Sequence, residues 1–308
     1  MKLQEQVLTQ LNESFAAGQD YFESPDVYER EITAGVHWDK SKYNIAKLDN
    51  HSPYKQGQLT TIVGHSNVGK TTLITFLLTR ILSNRKLIVY SAENRISQLA
   101  RYIISFTHGN HQYQKYFEWL RSRVMFIKHV KQYTYRDILE QISIADDIGF
   151  DSSMIFVDPY NSLKKDRRMA NSHEYDYEAI EDMRIFCRNA NKSIFLNCHT
   201  NTESMREKPD KYGETPRPMS SFVEGGGKFI NKSDDVWVIH RQLYAADVIK
   251  RYDSMLFVDK VRNTEGGGYQ TPYNEPIYFT FKKDWTGFTT VGEPVNYLES
   301  KETQENIF

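Results

Sequence analysis

Gly64-His65-Ser66-Asn67-Val68-Gly69-Lys70-Thr71 follows the spacing G-x-x-x-x-G-K-[ST], a combination suited to holding phosphate. The glycines let backbone N–H groups curl around an anion, and a helix beginning at the loop adds its partial positive end. Lys70 is expected to reach the β- and γ-phosphates of a nucleotide, and the Thr71 hydroxyl to ligate Mg²⁺. The run Met154-Ile155-Phe156-Val157-Asp158 ends in a carboxylate. An Asp at the end of a strand beside such a loop holds Mg²⁺, whereas one standing alone is a strand stopping at an Asp-Pro turn. Glu93 closes a third run, Leu87-Ile88-Val89-Tyr90-Ser91-Ala92-Glu93. It can accept the proton of an attacking water, or it can simply favour the start of the next helix.

These residues need a scaffold that brings three strand ends to one place. Leu59–Val63 precedes the loop, and Thr72 to Arg80 follows it with the spacing of a helix. From Leu59 onward, apolar runs alternate with helical stretches, the pattern of a mainly parallel sheet covered by helices, an α/β fold. The runs are Leu59–Val63, Leu87–Ser91, Val124–Lys128, Met154–Asp158, Ile194–Cys198, Val236–His240 and Met255–Asp259. Tyr278–Lys282 and Phe288–Val291 flank a Lys283–Gly287 turn and predict a hairpin. Residues 1–20 predict a helix with a thin stripe of Leu3, Val7, Leu8, Leu11 and Phe15, and residues 21–58 an irregular approach containing Trp38.

The 308 residues suffice for one large α/β domain with appendages. A formal net charge of −1 gives no global basicity, so any nucleic-acid contact must come from a local or multiplied surface. Cys187 and Cys198 lie in apolar segments and are expected as reduced core thiols, not zinc ligands. No apolar run has the length of a membrane span and the first residues do not begin a signal peptide, so a soluble, intracellular protein is expected.

From about Gly57 to Val291 the ordered motifs resemble the helicase domain of DnaB-type hexameric replicative DNA helicases. The likeness is to the phage helicase-primase and Twinkle-like branch. Ser91-Ala92-Glu93-Asn94 with Gln98 and Arg101 is similar to the family's catalytic-glutamate segment, and Val157-Asp158-Pro159-Tyr160-Asn161 to its Mg²⁺ motif. His173-Glu174-Tyr175-Asp176-Tyr177 fits the stretch after that motif. The resemblance implies a RecA-like P-loop NTPase core with a C-terminal β-hairpin and an N-terminal helix. It divides the chain into an arm and linker (1–50), an ATPase/helicase domain (51–292) and a polar tail (293–308). It also implies ATP and Mg²⁺ as cofactors, with Gly64, Ser66, Asn67, Val68, Gly69, Lys70, Thr71 and Thr72 around the phosphates.

Three further roles are implied by the resemblance alone. His199, ending Ile194–His199, matches the residue that senses the γ-phosphate; taken singly it is an ordinary surface histidine. Arg241, ending Asn231–Arg241, matches the arginine that packs on the nucleotide base, with Phe281 as the aromatic on the other face or as plain strand packing. Lys260 and Arg262, in Phe257-Val258-Asp259-Lys260-Val261-Arg262-Asn263, match a lysine and an arginine finger that enter the neighbouring subunit's ATP site.

Two loops leave the sheet after the Asp158 and His199 strands. Lys164, Lys165, Arg167 and Arg168 belong to the first, and Arg206, Lys208, Lys211 and Arg217 to the second, among several carboxylates. In the family these edges hold single-stranded DNA inside a hexameric ring, while the mixed charge also suits solvated loops. Gly225-Gly226-Gly227 either lets the backbone approach phosphates or hinges the second loop. The resemblance thus implies an ATP-dependent ring helicase in the cytoplasm, the host's if the chain is phage-encoded. Primase, polymerase or loader would be separate partners, since nothing resembling a primase precedes the core. A RecA-type filament-forming recombinase or mediator, or an ATPase switch without strand separation, fits the same core.

Overall fold

The computed structural model describes residues 40–165, 172–201, 208–223 and 226–290. The chain divides into two units, Met1–Lys40 and Ser41–Phe308, and the described elements belong to the second. The expected N-terminal helix, Trp38 and the polar tail lie outside the described residues.

All nine expected apolar runs are strands of one sheet: β1 (Leu59–Gly64), β2 (Leu87–Ser91), β3 (Val124–Phe126), β4 (Met154–Asp158), β5 (Ser193–His199), β6 (Asp235–Arg241), β7 (Asp253–Val261), β8 (Ile277–Phe281) and β9 (Phe288–Thr290). Their spatial order is β9-β8-β7-β6-β1-β5-β4-β2-β3. Pairing is parallel from β6 to β3 and antiparallel through β7, β8 and β9. The hairpin therefore extends the main sheet and does not stand apart from it.

Alternation along each strand sorts side chains into two layers. Ile62, Val89, Phe156, Phe195, Trp237 and Leu256 face one side. They pack on α2 (Lys70–Thr79) and α3 (Ile96–His108) through Leu73, Phe76, Leu77, Leu99, Ile103 and Phe106. Val63, Ile88, Val157, Leu196, Val238 and Phe257 face the other, against α5 (Tyr135–Asp147) and α6 (Ser172–Asn189). Burial on both faces explains why the central strands read as unbroken apolar runs.

The helices begin and end for local reasons. α5 starts on a Thr134–Asp137 capping box, which satisfies two otherwise orphaned N–H groups. α3 stops where Gly109 turns left-handed at φ 64. A short α4 (Phe117–Arg123) leads into β3. The approach segment is less irregular than its sequence predicts. It contains α1 (Ala46–His51), and Tyr43, Ile45, Leu48 and Tyr54 are buried in the α2 layer. Asp49 ties that segment down by accepting the N–H groups of Tyr43 and Ile45.

Because six strands run parallel, their C-terminal ends gather at one edge. That edge carries Gly64, Ser91, Asp158, His199 and Arg241, the position where open α/β sheets bind ligands.

Candidate functional site

The loop leaves β1 at Gly64, where a Cβ would stand 2.4 Å from the Ile239 carbonyl oxygen of β6, so only glycine passes. Gly69 closes the loop at φ 86 and is the residue before α2. No side chain caps that helix, which leaves its first N–H groups directed at the loop and available to an anion. Lys70 is buried and donates to the carbonyls of Gly64 and His65, both at 2.8 Å. Burial lowers its pKa to about 8, against the pull of Asp158, and leaves it charged at neutral pH.

Asp158 is fully buried at the end of β4. Thr71 Oγ1 lies 3.0 and 3.1 Å from its two carboxylate oxygens, and Ser91 Oγ and Asn94 Nδ2 donate from 3.2 and 3.1 Å. The Asn197 amide donates from β5. Burial pushes the Asp158 carboxyl above its ordinary value, while the Asn197 and Thr71 bonds pull it back. Ser91, Asn94 and Asn197 hold this carboxylate, and the motif reading gave none of them a role. Asn197 is legible as the amide in the otherwise apolar run Ile194–Cys198, since a buried amide requires a partner.

Glu93 and His199 meet across the same edge. His199 Nε2 lies 3.1 Å from Glu93 Oε1, and Nδ1 lies 3.4 Å from Lys70 Nζ and 3.5 Å from Ser66 Oγ. An ammonium has no lone pair to offer, so Nδ1 accepts and Nε2 carries the proton donated to Glu93. Asn161 Oδ1 accepts the His199 backbone N–H at 2.7 Å and fixes the histidine's position. The predicted carboxylate, histidine and lysine are thus brought into one contiguous set.

The donor set suits a small, hard divalent cation. A hydroxyl and a carboxylate touch at the loop, and Mg²⁺ takes one or two protein oxygens with the rest of its shell from phosphates and water. Among the described residues no cluster of three or more His, Cys, Asp or Glu side chains forms an all-protein metal cage.

Arg241 ends β6 beside the loop, with Nη1 3.9 Å from where a Gly69 Cβ would be. Phe281 lies two strands over on β8, its ring centroid 5.0 Å from Phe288 and 5.3 Å from Trp285. Ser66 and Val68 lie in the loop and Thr72 in the first turn of α2, with Asn67 exposed at φ 65. Lys260 and Arg262 are not brought to this loop. β7 runs antiparallel, so Val261 stands level with Asp235 and Thr60, roughly 13 Å along the strand from Gly64. There Lys260 Nζ donates to the carbonyls of Ile230, Asn231 and Ser233, and Arg262 Nη2 to Asn231.

Of the basic loop residues, Lys164 and Lys208 are exposed, and Lys165 is paired with Asp176 at 3.0 Å. Arg167, Arg168, Arg206 and Gly225 lie outside the described residues. Arg217 departs from the reading as a loop cation. It bonds Asp259 at 2.7 Å and lies over the rings of Phe257 and Tyr273, which fastens the second loop to β7.

No protein-family model and no curated protein matches the chain. Solved structures do. One, an ATPase domain, superposes with a TM-score of 0.69 at 11% identity, over 87% of this chain and 99% of that one. A DnaB-like replicative helicase, described with its interactions with primase, superposes at 0.65 and 14% identity, over 92% of this chain and 71% of that one. With the sheet order and the loop geometry, these likenesses give the chain the fold of a DnaB-type helicase ATPase domain.

Proposed function

We propose that the chain is an ATP- and Mg²⁺-dependent ring helicase that moves on single-stranded DNA during replication, each ATP being held between two copies. The observation that carries this reading is a division. Lys70, Thr71, Asp158, Glu93 and His199 converge at one sheet edge, while Lys260 and Arg262 lie at the opposite one, held on carbonyls there. A site whose positive finger cannot reach its own loop is completed by a second copy.

Within that reading, Lys70 exchanges the Gly64 and His65 carbonyls for the β- and γ-phosphates. Thr71 and Asp158 hold Mg²⁺, which when bound neutralises charge on those phosphates. Glu93 takes the proton of the attacking water, and His199, bonded to Glu93, links that event to the loop beginning at Thr200. Arg241, with Phe281, flanks the base. Lys260 and Arg262 stabilise charge spreading over the γ-phosphoryl oxygens of the neighbouring copy's ATP, a task suited to a planar, permanently charged fork. Subunit docking would fall to residues 1–40, because Tyr43, Ile45 and Leu48 are buried in the core, so the motor begins at Ser41 and not at residue 51. No described helix is long and apolar enough to cross a membrane. A cytoplasmic protein with a separate primase, polymerase or loader agrees with the reading.

Electron microscopy with an ATP analogue and single-stranded DNA tests it. Closed or lock-washer hexamers are expected, together with fork unwinding. Open filaments without unwinding would instead identify a recombinase-type protein.

DNA binding is testable separately. Removing charge at Lys164, Lys165, Arg167 and Arg168 is expected to weaken binding and to flatten its salt dependence by about 0.7 in log–log slope for each phosphate that is no longer neutralised. An unchanged slope puts the strand elsewhere.

A further inference from the structure

The edge opposite the loop holds more positive charge than its carboxylates can balance. Asp234 is buried just before β6 and clamped to the first residue of β1. Its Oδ2 accepts the Leu59 N–H at 3.1 Å, and its own N–H donates to the Leu59 carbonyl at 2.9 Å. That leaves Oδ1 for three guanidinium groups: Arg184 Nε at 3.1 Å, Arg262 Nε at 3.6 Å and Arg188 Nη2 at 3.7 Å. Lys232 bonds Glu181 at 2.7 Å beside them, and Lys260 lies on the carbonyls at the end of α7 (Lys228–Lys232). Among the described residues, four cations, Arg184, Arg188, Arg262 and Lys232, thus share two carboxylates, Asp234 and Glu181, with Lys260 close by and the next carboxylate, Asp235, facing Lys55.

One carboxylate oxygen cannot satisfy three planar forks, each with several N–H donors. Such a cluster is stable where a further anion with several oxygens joins it, and phosphate matches the spacing of paired guanidinium groups. The three arginines differ in what they can do. Arg184 is nearly buried and bonds Asp234 most closely, so it braces the carboxylate. Arg262 is attached to Asp234 twice, through its side chain and through its backbone N–H to the Asp234 carbonyl at 2.9 Å. Arg188, near the end of α6, has its side chain 56% exposed and its contact to Asp234 is the longest of the three. It is the fork with room to turn outward. The repulsion among these cations adds to the same picture, since burial and neighbouring Arg262 lower the Lys260 pKa to about 8.

We propose that Arg188 is a second trans-acting arginine, reaching with Arg262 for the terminal phosphates of ATP bound to the next copy, and that Asp234 braced by Arg184 is the positioning residue for both. The inference rests on the ring reading above, and its test separates the two. Arg188→Ala and Arg188→Lys are made in the full chain, and turnover, nucleotide affinity and particle mass are measured with single-stranded DNA present. Arg188→Ala is expected to lower kcat by about 10²-fold, the order seen when one preorganised donor to developing charge is removed, with unchanged nucleotide affinity and assembly. Arg188→Lys, which keeps the charge without the fork, recovers only part of it.

Mixing then distinguishes touching the neighbour's phosphates from holding the protein's own fold. In assemblies of Arg188→Ala with Lys70→Ala chains, some sites combine an intact loop from the first with an intact Arg188 from the second, so turnover rises above that of either variant alone. Arg262→Ala mixed in the same way is the control. If Arg262→Ala is rescued and Arg188→Ala is not, or if Arg188→Ala alone keeps normal turnover, Arg188 has no trans role and the proposal is overturned while the ring reading stands. If mixed particles form by light scattering and neither is rescued, the shared site itself is wrong and the proposal falls with it.

Discussion

Lys70→Ala is expected to abolish ATP turnover. Among the described residues its ammonium is the one cation seated inside the Gly64–Thr71 loop, held there by two loop carbonyls and next to the histidine that contacts Glu93. Truncation removes the charge proposed to meet the β- and γ-phosphates, and no other described side chain at the loop supplies it from the same position. The substitution also strands the Gly64 and His65 carbonyls, a loss of about 1–3 kcal/mol for each buried acceptor that water does not reach. Chemical denaturation alongside the hydrolysis assay separates the two effects. A folded variant that turns over ATP normally would rule out the phosphate-loop assignment.

The second large effect belongs to the other edge. Arg262→Ala is expected to leave nucleotide affinity close to unchanged, because Arg262 lies far from its own chain's loop, and to lower hydrolysis by about 10³–10⁵-fold, as arginine fingers do in other phosphoryl-transfer sites. If the deficient site lies between copies, as proposed, mixing Arg262→Ala with Lys70→Ala chains is expected to restore part of the activity. A chain that loses nucleotide affinity on Arg262→Ala instead uses that arginine at home.

Much of this scaffold is legible in the residues alone. The central strands lie between two layers of helices, so they read as apolar runs bounded by turns, and every one of the nine is a strand. Their order is not legible. Nothing in Met154–Asp158 or Ser193–His199 states that β5 lies between β1 and β4, and it is that adjacency which places Asn197 against Asp158. The approach segment hides its structure for a related reason. Tyr43, Ile45, Leu48 and Tyr54 are buried at irregular intervals, and no simple period marks a segment that docks piece by piece. Arg217 shows the limit of counting charges. Its polar neighbours in sequence suit a solvated loop, but two aromatic faces and Asp259 hold it against β7.

The β6–β7 ribbon joins the two edges of the sheet. Arg241, level with Ser254, stands at one end, and Asp235, level with Val261, at the other. In the proposed ring, one end of this hydrogen-bonded bar would lie by the base of a subunit's own nucleotide and the other by the phosphates of the next. Under that reading the bar would serve as a lever arm, passing a tilt imposed by nucleotide at one interface to the adjoining one along its paired strands. The register irregularity between Val236 and Trp237 is where the two strands fall out of step, so it is the place along the bar where such a tilt would be taken up or passed on.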